Sequence, residues 1–146
     1  MTSLLPAPAR GWSVVFILAV LIVAFTGHAA ATEPNYNGHY EMTTDPKASR
    51  VFSLDIRQAG SRAQISFSAA MADGTGAAPD GEGKGHVEDG VLSFKFKDSF
   101  NNEGTCTLES KKDGFHLNIV VTKVVDAGPF HFYGNILLKK TSAKAE

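Results

Sequence analysis

Apart from ordinary lysines and acids, residues 32–146 offer little that could react or bind a metal: one thiol, four histidines and an acid-bearing glycine segment. Cys106 is the single cysteine of the chain, so it is the one candidate thiolate and no intrachain disulfide can form. Its parity on a period-two pattern puts it on an inner face beside Phe96 and Ile119, where a thiol behaves as a small, inert apolar group. His86, His116 and His131 fall on the opposite, polar parity, which argues against a Cys–His metal site. His39 on the first strand and His131 on the last become neighbours if the sheet closes, but two imidazoles alone are short of a zinc site. The segment DGTGAAPDGEG carries Asp73, Asp80 and Glu82. Oxygen-rich loops of this kind hold calcium in other settings. The spacing here matches no EF-hand, and Asp-Gly pairs are good turn formers in their own right. There is no Gly-x-Ser-x-Gly, His-Glu-x-x-His, Cys-x-x-Cys or phosphate-cradling loop. The expectation is a protein that is not an enzyme and uses no metal or cofactor.

These residues follow a leader. Arg10 ends a weakly basic start, residues 12–25 (WSVVFILAVLIVAF) carry no charge, and Ala29-Ala30-Ala31 offers an A-x-A cleavage site. That order of regions is the pattern of a secretory signal peptide, and the apolar run is shorter than the roughly 20 residues a bilayer span needs. Residues 1–31 are therefore read as a signal peptide and residues 32–146 as one exported domain, with no stable membrane span after cleavage. The alternative is an uncleaved anchor over residues 11–31. One cysteine and no N-x-Ser/Thr acceptor fit a periplasmic or secreted protein of bacterial type. The leader removes one basic residue and no acid from a chain of net charge −1. No basic tract of the kind that holds nucleic acid is present. Lysines and acids alternate along the chain, and KKTSAKAE at the C-terminus reads as a solvated tail.

Beyond the leader the hydrophobic period is two. Phe52, Leu54 and Ile56 alternate with Ser53, Asp55 and Arg57; Leu92, Phe94 and Phe96 alternate with Ser93, Lys95 and Lys97. Such alternation marks antiparallel strands with one wet face. Eight strands are expected near 37–42, 51–58, 63–70, 82–88, 91–97, 104–110, 115–125 and 130–139. Gly60-Ser61 suits a type II′ hairpin turn and sets Ile56 against Ile65; Asp89-Gly90 suits type I′ and sets Val87 against Leu92. A loop over residues 126–129 would set Val121 against Gly134 and Ile119 against Ile136. Short connections in meander order predict an all-β, eight-stranded antiparallel barrel, with a two-sheet sandwich as the alternative. Phe52, Leu54, Ile65, Phe67, Leu92, Phe94, Phe96, Leu108, Leu117, Ile119, Phe132 and Ile136 should form its core. Gly81, Gly83 and Gly85 share one face opposite Phe94 and Phe96. They serve either to let the sheet bend around those rings or to leave a gap for a ligand. In the same register Lys84 sits opposite Lys95.

Alternate turns of a meander lie at opposite ends. One end has only tight turns. The other collects residues 43–50, 71–81, 98–103 and 126–129, and binding function concentrates on such loops. Met71, Asp73, Phe100, Asn101 and Asn102 are the candidate ligand- or partner-binding residues there. Phe100 stands alone as an aromatic among polar neighbours.

Asn37-Gly38-His39-Tyr40 opens the first strand as Gly-x-aromatic. With an eight-strand meander, this resembles the lipocalin and avidin group of barrels, the calycins, which carry Gly-x-Trp at that place. Tyr40 stands where tryptophan is usual, and no counterpart of the lipocalin loop aspartate or late-strand arginine is evident. The resemblance implies a small apolar ligand within the barrel. The reading from sequence is thus an exported, non-catalytic binding protein whose ligand is a small apolar molecule or a protein met at the long-loop end. The alternative is a periplasmic inhibitor of an extracellular or envelope enzyme.

Overall fold

The computed structural model of the protein describes residues 34–43 and 49–141. The leader with its cleavage site, most of the 43–50 loop and the end of the C-terminal tail lie outside the described residues. Eight strands follow one another: β1 (Gly38–Met42), β2 (Arg50–Ala59), β3 (Arg62–Met71), β4 (Asp80–Glu88), β5 (Val91–Asp98), β6 (Glu103–Lys111), β7 (Gly114–Lys123) and β8 (Gly134–Thr141). Each pairs antiparallel with the next, and β1 also pairs with β8, so the meander closes into a barrel. Closure leaves no unpaired sheet edge. The expected barrel is formed, in place of the sandwich, and its architecture is calycin-like. No helix among the described residues is long and apolar enough to cross a membrane.

Turn chemistry sets the register as expected over most of the barrel. Asp89 and Gly90 take φ of 50° and 79°, the two left-handed positions of a type I′ turn. Val87 then meets Leu92, and Ile56 meets Ile65 across the Gly60-Ser61 turn. The last strand departs from expectation. Gly128–Phe132 is a 3-10 helix, and β8 begins only at Gly134. Ile119 therefore faces Gly134 and Leu117 faces Ile136. The shift is two residues, so parity and the buried face are unchanged. Its cause is local. Pro129 has no N–H for a ladder and suits a first helical turn, while the Asp126 carboxylate accepts the Gly128 N–H at 2.7 Å. His131 rides on this helix at the long-loop end, whereas His39 lies opposite Thr141 at the other end with Nδ1 2.8 Å from Asp55. The two histidines do not become neighbours.

The interior is filled by side chains. All twelve expected core residues are buried in one cluster, joined by Tyr36, Tyr40, Ile56, Val87, Cys106 and Leu138 among others. Phe67 stacks on Phe52 and meets Phe96 edge-on, each at 5.5 Å between centroids. Tyr36 and Tyr40 close the tight-turn end. The Tyr36 hydroxyl donates to Gly90 O, the Tyr40 hydroxyl donates to Tyr36 O, both at 2.6 Å, and both rings meet Phe115 edge-on. Lys140 of β8 lies with Nζ 5.5 Å from the Tyr40 ring centroid, a cation–π contact between the last strand and the first.

The glycines of β4 serve close approach. A Cβ at Gly81 would lie 2.2 Å from the Phe67 ring, and one at Gly85 would lie 2.2 Å from Ser93 O and 2.5 Å from Phe94 Cβ. The space a ligand would need on that strand is taken by Phe67 and the β5 backbone. Gly85→Ala should therefore destabilise the fold by roughly 1–3 kcal/mol, as overpacking against a fixed backbone does. Urea unfolding measures it, and an unchanged midpoint would contradict the tight β4–β5 contact.

Candidate functional site

The long-loop end is built from four connections bonded to one another. Ala72 N–H donates to Ser49 O at 2.6 Å, Ser99 N–H donates to Asp80 O at 2.7 Å, and the Arg50 guanidinium donates to His131 O. Phe132 is buried, and the Tyr133 ring lies against Phe96 and Phe67 at 5.7 and 6.4 Å.

Asp98 organises this end. Counting by twos from Phe94 and Phe96 puts its carboxylate on the inner face, and it is only 4% exposed. Oδ1 accepts the N–H groups of Phe100 at 2.9 Å and Asn102 at 2.8 Å. Oδ2 accepts the Asn102 side-chain amide at 2.9 Å and the Tyr133 hydroxyl at 2.5 Å. Asn102 passes the network on, since its Oδ1 accepts the N–H groups of Val125 and Asp126 at 2.8 and 2.9 Å. One carboxylate thereby joins the 98–102 loop, the 123–127 segment and Tyr133. Burial, and then the bond to Asp98, push the Tyr133 phenol far above its ordinary range.

The candidate residues divide on this frame. Asn102 is fully buried, and its amide is consumed inside the network, so it shapes the mouth without facing a partner. Asn101 is exposed at the loop tip with a left-handed φ of 63°, and Phe100 beside it is half-buried. Met71 is half-buried against the core. Asp73 is exposed and closes its own turn, accepting the Thr75 hydroxyl at 2.8 Å and N–H at 3.0 Å. Those two bonds hold its carboxyl below the usual range. The structure adds residues that periodicity missed: Val124 and Val125 are 56% and 60% exposed, and Phe130 is 37% exposed. The first two fall within the expected strand 115–125, but β7 ends at Lys123. No local signal separates them from β7, since Val120 and Val121 are equally adjacent inside it.

Cys106 is buried between β5 and β7, opposite Phe94 and Ile119. Burial raises its thiol well above the ordinary range, so the thiolate is scarce at neutral pH. A thiol reagent should leave it unlabelled in the native protein and modify it quickly in denaturant; rapid native labelling would overturn both its burial and the register. Among the described residues, no group of three or more His, Cys, Asp or Glu is placed to hold a metal ion.

The arrangement can present a preformed surface. Val124, Val125 and Phe130 are offered to solvent from segments whose backbone Asn102 and Asp126 hold in place. Comparison of the chain with protein-family models, with curated proteins and with solved structures finds no match.

Proposed function

We propose that the protein is an exported, non-catalytic binding barrel that engages a protein partner at its long-loop end. The observation that carries this reading is the exposure of Val124, Val125 and Phe130 on a rim held by the Asp98 network. Exposed apolar side chains grouped on a fixed frame favour association, because no ordering of the surface opposes it. Of the two ligand classes the sequence leaves open, the protein partner is favoured over the small apolar molecule. Phe52, Phe67, Phe96 and Phe132 occupy the place a lipocalin or avidin ligand would take, so the likeness to those families is one of architecture.

The second reading, an inhibitor of an extracellular or envelope enzyme, is favoured by one feature. The Phe100-Asn101 tip is pinned from within by two N–H bonds to Asp98, and rigid loops of that kind dock with little rearrangement.

The test is photo-crosslinking from position 125 in the protein's own host, followed by mass analysis of the recovered protein. A discrete protein adduct, abolished by Phe130→Asp, is expected on a chain that begins at Thr32. A chain retaining Met1 would favour the anchor. A retained small molecule with no protein adduct would return the function to the interior. An adduct with an enzyme whose activity the barrel lowers would select the inhibitor.

A further inference from the structure

Strand register gathers positive charge on the outer wall near the tight-turn end, remote from the loop rim. Arg57, Gln64, Lys84 and Lys95 lie in one cross-strand row, each opposite the next; Ala59, Arg62, His86 and Ser93 form the adjacent row. Arg57, Arg62, Lys84 and His86 line a groove of about 780 Å³ with Gln58 and Gln64, and no carboxylate lines it. Gly85 and Ala63, which lack bulk, also line it. Among the described residues no carboxylate pairs with Arg62, Lys84 or Lys95. Like charges directly opposite on neighbouring strands are unfavourable, so Lys84 facing Lys95 leaves a local excess of positive charge that a bound anion would offset.

We propose that this groove is a binding site for a compact, multiply charged phosphate-bearing anion. Arginine forks and lysine ammonium groups match phosphate oxygens, and a concave wall of one sign concentrates the field. The extent of the patch limits the ligand. Glu82 lies in the next row toward the long-loop end, Asp55 precedes Arg57 on β2, and Glu88 lies 3.5 Å from His86 at the other limit. The cationic area is about 14 Å across four strands and about 7 Å along them. That suits a pyrophosphate or a phosphorylated headgroup, and acids at both limits would repel a long polyanion.

Calorimetric titration with pyrophosphate at low ionic strength, and flotation with phosphatidylcholine vesicles containing phosphatidic acid, test the site in its two forms. Saturable binding is expected in at least one. Arg62→Glu should weaken it tenfold or more, and Lys84→Gln should weaken it to a lesser degree. Lys112→Glu, an exposed change in the β6–β7 turn, should leave it intact. Binding of vesicles alone assigns a lipid headgroup, and binding of pyrophosphate assigns a free phosphate compound. Failure of both probes overturns the proposal, as does an equal loss with Lys112→Glu, which would reduce the effect to net charge. Phe130→Asp leaves this site untouched, so the outcome is separate from that of the partner reading.

Discussion

Replacing Phe94 by alanine should lower the free energy of unfolding by roughly 3–5 kcal/mol, toward the upper part of the range for a buried aromatic. The ring is 4% exposed, and its cross-strand neighbours are Gly85 and Cys106. Neither is large enough to move into the space, and the cost of a large-to-small change grows with the cavity that survives it. Urea unfolding of the wild type and the variant measures the difference. The companion substitution Phe100→Ala should cost about 1 kcal/mol or less, in keeping with a partly exposed loop side chain. If the two costs are equal, Phe100 is a plug of the core, and the loop tip loses its standing as part of an interaction surface.

Asp98→Ala should be about as damaging by a different route. The carboxylate accepts four hydrogen bonds, and its loss leaves the backbone and side-chain amides of Asn102 and the Tyr133 hydroxyl without their acceptor. Each buried donor so orphaned costs about 1–3 kcal/mol, which gives roughly 3–5 kcal/mol once the mouth relaxes. Tyr133→Phe removes one donor together with its need and should cost only about 1.5–3 kcal/mol, the worth of a hydrogen bond to a charged group. Hydrogen exchange supplies an independent reading. The amides of Val125 and Asp126, bonded to Asn102, should exchange faster in Asp98→Ala while those of β2 and β3 fall only with global stability. Unchanged exchange at both amides would mean that the network does not hold the rim.

Both substitutions touch features that differ in how plainly the chain announces them. Phe94 could be placed from its neighbours alone, because alternation with Ser93 and Lys95 declares a strand and names its buried face. The same count extended by one step puts Asp98 inside, yet nothing nearby in sequence says what satisfies a buried carboxylate there. One of its partners, Tyr133, is 35 residues away. Asn102, a candidate from its place on the long-loop rim, lies inside because its amide bonds to that carboxylate. Val124 and Val125 were obscured by their β-branched character, which suits a strand, while the actual strand ended at Lys123.

Period-two alternation and turn residues are local properties, legible within a window of a few residues, and by themselves they determined an all-β chain, eight strands in meander order and the register of the Gly60-Ser61 and Asp89-Gly90 hairpins. Closure of the barrel and the capping of the opposite end by Tyr36 were decided only in the tertiary structure, because each depends on bonds between segments far apart in sequence. Charge shows the division most simply. Along the chain lysines and acids alternate and no basic tract exists, but strand pairing carries Arg57, Lys84 and Lys95 into one row, since electrostatic neighbours are set by distance in space.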